Sequence, residues 1–214
     1  MDEVDFYLED LKSKFRKLKN VGGYDKYYLS YSGGKDSHFL YWFIKEYSYP
    51  EFKDIKIVGI NTYMEHHEIR DRIYKYADIV LLPTLKPFEI KGKYGIPCFS
   101  KEQDYYIYYY QNSLRKGKYT SCFTKDKKFT PLWDLTEELE EEIYKKYNIE
   151  IPDIYKYIKR TGCMGCPYGS HAGDTEKELE LLNDKQHEFV CNYFKESYEV
   201  LGVDTSRQMK IGGM

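Results

Sequence analysis

Apolar residues recur at helical spacing over residues 4 to 18, where Val4, Tyr7, Leu8, Leu11, Phe15 and Leu18 share one stripe between charged positions. That period predicts an amphipathic helix at the start of the chain, ended by Gly22 and Gly23. "KYYLSYS" (26–32) is short, aromatic-rich and bounded by glycine, as a buried strand would be. "SHFLYWFIKEY" (37–47) has the length and apolar content of a helix packed on a sheet. A second unit follows: "DIKIVGINT" (54–62) reads as a strand, "EHHEIRDRIYKYA" (65–77) as a helix and "DIVLLP" (78–83) as a third strand. Strand, helix, strand, helix, strand predicts a parallel sheet with right-handed crossovers.

After Pro83 the pattern loosens. "KGKYGIPCFSKEQ" (91–103) is turn-rich, and "DYYIYYYQNSLRKG" (104–117) predicts a helix. "DLTEELEEEIYKKY" (134–147) predicts another, with Leu139, Ile143 and Tyr147 as its buried stripe and acids near its N-terminus, where the helix dipole favours them. A last helix is expected to start at Thr175, with Glu178 completing a capping box, and to run to Gly202. No internal repeat or low-complexity linker interrupts the chain.

The length of 214 residues fits one domain with a real core, or a domain with an appended lobe. Lysine plus arginine number 33 against 35 for aspartate plus glutamate, so a nucleic-acid or membrane partner would need a local patch. The basic stretch "RKGKYTSCFTKDKK" (115–128) is the candidate, although such runs are more often solvated surface. No apolar run approaches the roughly 20 residues that span a bilayer, and the acidic "MDEVDFYLEDL" does not read as a signal peptide, so no membrane association and a cytoplasmic location are expected. The 25 tyrosines carry no functional weight.

Between the first strand and its helix lies "SGGKDS" (32–37). In an open parallel sheet, ligands bind at the carboxyl ends of the strands, and a glycine-rich turn entering a helix presents backbone N–H groups and a positive dipole end to an anion. Gly33 and Gly34 allow a tight turn and close approach of a phosphate, and Ser32 and Ser37 can donate hydroxyl hydrogen bonds. Lys35 can neutralise phosphate charge, and Asp36 can hold the loop or a magnesium ion. The spacing is not that of a Walker A loop.

This segment resembles the PP-loop of the N-type ATP pyrophosphatase superfamily. Three further stretches agree with its phosphoadenosine phosphosulfate (PAPS) reductase-like branch. "NTYMEHHE" (61–68) resembles the "NT-x-x-E" region near the adenosine, and "KYGIPCFSKE" (93–102) resembles the "yG-x-P-x-x-S" segment. Residues 129–169, from "FTPLWDLT" to "RTGCMGCPYG", resemble the "PL-x-D-W-T…IP…Y…R-x-GC-x-x-CP" region. The resemblance implies an α/β fold, a doubly wound, mainly parallel sheet of Rossmann-like (HUP) type, with a C-terminal helical lobe bearing cysteines. It implies a PP-loop nucleotide-binding domain over 1–130 and the lobe over 131–214, packed as one unit. It further implies that Ser32, Gly33, Gly34, Lys35, Asp36, Ser37, Asn61, Thr62 and Glu65 bind ATP or a related adenine nucleotide with Mg2+, with Lys35 and Asp36 in the catalytic role.

Of five cysteines, Cys163 and Cys166 are spaced C-x-x-C, which suits one metal atom or a redox disulfide. Cys122 is the best third ligand, with Cys98, Cys191 or His171 as candidates for a fourth; Cys191 fits a helix interior better. Iron–sulfur adenylyl-sulfate reductases carry an adjacent Cys-Cys where this chain has Ser121-Cys122. Sulfur-transfer relatives such as tRNA 2-thiocytidine synthetases hold a cluster with three cysteines. A 4Fe-4S cluster on Cys122, Cys163 and Cys166 fits that pattern, and zinc stays open. His66 and His67 are read as flanking the nucleotide pocket or facing solvent.

The resemblance implies an enzyme that cleaves ATP to AMP and pyrophosphate to activate a substrate, for sulfur transfer in some relatives. The acceptor could be a nucleic acid (tRNA or DNA), with a sulfur-donor protein as partner. A PAPS/APS reductase and a non-catalytic nucleotide-binding accessory protein are the alternatives. Against the reductase stands the tail after Cys191, "VDTSRQMKIGGM" at its end, which holds no nucleophilic cysteine. The oligomeric state is not readable.

Overall fold

A computed structural model describes residues 2–21, 27–82, 129–158, 162–166 and 175–206. Within them the protein is mixed α/β, with a three-stranded parallel sheet and several helices. Helix α1 spans Glu3–Val21, and all six residues of its expected stripe are buried. Strand β1 (Tyr28–Tyr31) leads through Ser32–Gly34 into α2 (Lys35–Trp42). A π-helical turn, Phe43–Tyr47, prolongs α2, with the Ser48 amide donating to the Phe43 carbonyl at 2.9 Å. Strand β2 (Lys56–Ile60), α3 (His67–Tyr76) and β3 (Ile79–Leu81) complete the second unit. β1 pairs with β2 from Tyr28 opposite Lys56 to Tyr31 opposite Gly59, and β2 with β3 from Val58 opposite Ile79 to Ile60 opposite Leu81.

Strand order follows chain order, β1-β2-β3. The reversal of order that defines a doubly wound sheet does not occur among the described residues. Residues 83–128, which contain the expected helix over 104–117, Cys98, Cys122 and the basic stretch, lie outside them, as do Gly22 and Gly23.

The core centres on Phe15, whose ring lies 5.2 Å from Phe43, 5.2 Å from Phe52 and 5.0 Å from Phe129. Leu8, Leu11, Phe39, Ile57 and Ile143 join the same cluster. Burying each such side chain stabilises by about 1.5–3 kcal/mol. Helix α4 (Glu137–Tyr147) is capped by Thr136, whose hydroxyl accepts the Leu139 amide at 3.2 Å, and ends at Asn148 in the left-handed region (φ 50°). It is tied to α1 by Lys146, 2.8 Å from Asp2 and 2.5 Å from Asp5. The stripe expected on this helix needs correction. Ile143 is buried, but Leu139 and Tyr147 are only half-buried, and Glu140 and Tyr144 take the interior places. Side chains three and four residues apart share a helix face, so Glu140 accompanies Ile143 and Tyr144.

The single C-terminal helix is also corrected. It starts at Thr175 and stops at Gly202 (φ 68°), but is broken into α5 (Thr175–Leu181), α6 (Asp184–Tyr193) and α7 (Lys195–Leu201). Asn183 starts a new helix: its side chain accepts the Gln186 amide at 3.0 Å while Gln186 accepts the Asn183 amide at 3.3 Å. This Asn183–Gln186 pair is a capping box. α5–α7 form a second cluster, in which Leu179, Val190, Phe194 and Tyr198 pack with Met64 and Met164, and Cys163, Cys166 and Cys191 lie against it. Among the described residues no helix is long and apolar enough to cross a membrane.

His38 on α2 is buried, 3.0 Å from the Tyr31 hydroxyl and stacked on Tyr41 at 5.4 Å. Burial, aided by the Arg72 charge, lowers its pKa from the ordinary 6.5 to about 4. On acidification the unfolded chain therefore takes up this proton first, so stability present above pH 6.5 is lost progressively toward pH 4, by up to about 2–3 kcal/mol. Urea unfolding at pH 7 and pH 4.5 is expected to show that loss, and His38→Gln to flatten the slope.

Candidate functional site

The loop after β1 is shaped by one close contact. Gly33 adopts φ +77°, and a Cβ there would lie 2.6 Å from the carbonyl oxygen of Ile69, in the first turn of α3. Both the dihedral and the contact demand glycine. The loop is then fastened by its own hydroxyls. Ser37 donates to the Gly34 carbonyl at 2.9 Å, Ser32 Oγ lies 3.1 Å from Ser37 Oγ, and the Gly34 amide donates to Ser32 at 3.4 Å. An α-helix leaves its first-turn amides without intrahelical acceptors; of these, the Lys35 amide donates to the Tyr155 hydroxyl at 3.2 Å.

The Lys35 ammonium is not directed at empty solvent. Its Nζ lies 2.5 Å from Glu140 Oε2 on α4 and 3.4 Å from Asp36 Oδ1. Glu140 is 1% exposed, and its other oxygen accepts the Tyr144 hydroxyl at 3.1 Å. Burial works against the Lys35 charge, but Glu140 and Asp36 more than offset it and hold the ammonium pKa above its ordinary value. The raised pKa makes this pair a source of stability below the ordinary lysine range, lost only in strong alkali.

The segment after β2 closes on itself. Asn61 donates to the Tyr74 hydroxyl at 2.9 Å and accepts the amide of Tyr63 at 2.8 Å, with Tyr63 in the left-handed region (φ 68°). Glu65 accepts the Thr62 hydroxyl at 2.6 Å and the Thr62 amide at 3.0 Å. Burial raises the Glu65 pKa, opposed by these Thr62 bonds. Asn61, Thr62 and Glu65 thus act first on one another.

The C-x-x-C turn docks onto this segment. Glu65 and Cys163 form an antiparallel bridge, and the Met164 amide donates to the Met64 carbonyl at 2.6 Å. The Cys166 amide donates to the Cys163 carbonyl at 3.1 Å. Gly165 takes φ +58° beneath Tyr198, whose hydroxyl donates to the Gly165 carbonyl; a Cβ there would lie 2.6 Å from that hydroxyl oxygen. Burial pushes the Cys163 thiol far up, reinforced by Cys166 and Glu65. A bound cation would be needed to keep it a thiolate. Cys163 and Cys166 share this turn, and their expected third partner, Cys122, lies outside the described residues.

The structure therefore brings Asn61–Glu65 and Cys163–Cys166 into direct contact and sets Ser32–Ser37 against the helix that follows. Three residues went unassigned in the sequence. Glu140 sits in an acidic run where no neighbour marks it as buried, except its spacing from Ile143 and Tyr144. Tyr155 lies among the tyrosines of 129–169 without any sign that its hydroxyl reaches Lys35. Nothing local to Tyr198 points to Gly165.

No protein-family model matches the chain, and no curated protein matches it.

Replacing Glu140 by Ala strips a half-buried ammonium of its partner and is expected to cost about 2–4 kcal/mol in chemical denaturation. Lys35→Met combined with Glu140→Leu should recover part of that loss, since the half-buried ammonium goes with its carboxylate, while Asp36 and the Tyr144 hydroxyl each lose one contact. Gly33→Ala is expected to destabilise by about 1–3 kcal/mol through the left-handed dihedral and the Ile69 carbonyl.

Proposed function

We propose that the chain is a PP-loop protein of the PAPS reductase-like type that binds ATP or a related adenine nucleotide and cleaves it between the α- and β-phosphates. The observation that carries this reading is the Ser32–Ser37 loop: a self-fastened, glycine-dependent turn at the carboxyl end of a parallel strand, entering a helix beside a lysine. First-turn amides and the α2 dipole would hold phosphate oxygens, and the Lys35 ammonium would offset charge developing on the phosphates. Mg2+ would screen the triphosphate, with Asp36 as its candidate protein partner. An acceptor oxygen attacks the α-phosphorus, the bond to the bridging oxygen breaks, and pyrophosphate leaves as the adenylyl group joins the acceptor. The adenylated acceptor then suits displacement by sulfur, with AMP as leaving group. Cys163 and Cys166, with Cys122, would hold a 4Fe-4S cluster or zinc; a cluster with one iron left open would bind sulfur delivered by a donor protein. The acceptor could be tRNA or DNA.

A second reading, nucleotide binding without turnover, is favoured by the Glu140 contact. An ammonium already 2.5 Å from a buried carboxylate has less charge to give a phosphate.

Isothermal calorimetry with ATP and Mg2+ is expected to give one binding event per chain, and pyrophosphate release is expected when the right acceptor is added. Lys35→Met should lower that release by about 100-fold. Binding heat with no pyrophosphate, for tRNA and DNA alike, would favour the second reading, and no heat with ATP or a sulfated adenine nucleotide would sink both.

A further inference from the structure

Immediately before and within the first turn of α3, three consecutive side chains hold donor atoms that neither the loop nor the cysteine turn uses. One ring nitrogen each from His66 and His67 and one carboxylate oxygen of Glu68 lie within 4.8 Å of one another. His66 is 4% exposed, and its Nδ1 is buried with no hydrogen-bond partner among the described residues. A buried polar nitrogen left unpaired costs about 1–3 kcal/mol, so native structures rarely tolerate one without a reason. The His67 ring lies 4.2 Å from that of His66, on the exposed side, and Glu68 is fixed by accepting the Ile154 amide at 3.1 Å with Oε2. One histidine is thus held in the interior, one reaches solvent, and the carboxylate is anchored by one oxygen.

We propose that His66, His67 and Glu68 form a site for a divalent transition-metal cation of the zinc type, with His66 as the buried ligand. The donor set decides the class of ion. Neutral imidazole nitrogen suits zinc, cobalt, nickel and copper, whereas magnesium and calcium prefer all-oxygen shells. Three protein donors leave a fourth position for water or an incoming ligand, the pattern of an open site rather than a closed structural one. The positive end of α3 opposes a cation here, and the Glu68 carboxylate offsets it. Carried by residues outside the cysteine turn, the site holds whether or not the chain binds a nucleotide. Its neighbour in space is nonetheless the Gly33 turn, because the next residue of α3, Ile69, is the one whose carbonyl abuts Gly33.

The test uses the full chain, reduced, titrated with Co2+. Cobalt held by nitrogen and oxygen shows d–d absorption without the intense near-ultraviolet band of thiolate ligation, which separates this site from the cysteines. The expected result is such a spectrum, retained in Cys163→Ser. In His67→Ala, and separately in Glu68→Gln, the apparent dissociation constant should rise at least the ~10-fold that even an outer partner of a metal ligand costs. His67 is exposed and Glu68→Gln keeps an acceptor for Ile154, so neither variant threatens folding. An absence of cobalt uptake, uptake with thiolate character alone, or equal affinity in wild type and both variants would each overturn the proposal.

Discussion

The contact on which the loop's surroundings depend is the ion pair between Lys35 and Glu140. It joins residues 105 positions apart, the first residue of α2 and the interior face of α4, at 2.5 Å. Removing a carboxylate and an ammonium from water is costly unless each is fully partnered, and both are: Glu140 by Lys35 and Tyr144, Lys35 by Glu140 and Asp36. The pair works as a register mark. Turning α4 by one residue would withdraw the carboxylate and leave a half-buried cation facing apolar side chains, so the approach of α4 to the loop is specified by charge as well as by packing. Tyr155 adds a second tie from the same part of the chain by accepting the Lys35 amide.

Over the described residues up to 82 the elements were legible from pattern alone. The α1 stripe marks a helix, the alternation of strand and helix over 26–83 points to a parallel sheet, and the observed register agrees. α4 was legible as an element but not in its rotation. Its pattern offers two faces differing by a single residue, and hydrophobicity favours Leu139 over Glu140; only the distant lysine makes the acidic face the buried one. The break in the C-terminal helix was hidden for a related reason. Leu182 continues the apolar period across the gap, while the capping strength of Asn183 with Gln186 stops one helix and starts another.

At the site, residue types were readable and their partners were not. The polar groups of "NTYME" satisfy one another: Glu65 takes both donors of Thr62, and Asn61 spans Tyr63 and Tyr74. The C-x-x-C spacing foretold a turn with paired thiols. It could not foretell that the turn would bridge to Glu65 and rest beneath Tyr198, since both contacts depend on side chains far along the chain. The docking has an electrostatic consequence. It places a desolvated thiol beside the Glu65 carboxylate, whose charge adds to the cost of ionising Cys163. The cluster around Met64 and Met164 therefore favours neutral groups, until a cation changes the balance.

On the nucleotide reading, the same reasoning sets the sign of the coupling between loop and helix α4. A phosphate entering the cradle competes with Glu140 for one ammonium, so the two anions bind Lys35 antagonistically unless magnesium neutralises part of the incoming charge. The self-fastened serines add a second toll, because both hydroxyls already donate within the loop and would have to turn outward to meet a ligand. What the loop offers besides is main chain: the dipole of α2 and the helix-end amides, of which those of Gly34 and Lys35 must first release Ser32 and Tyr155. Binding that begins on those amides and recruits Lys35 only as charge accumulates on the phosphates would direct the lysine's contribution toward the transition state rather than the ground state, which is where it raises a rate.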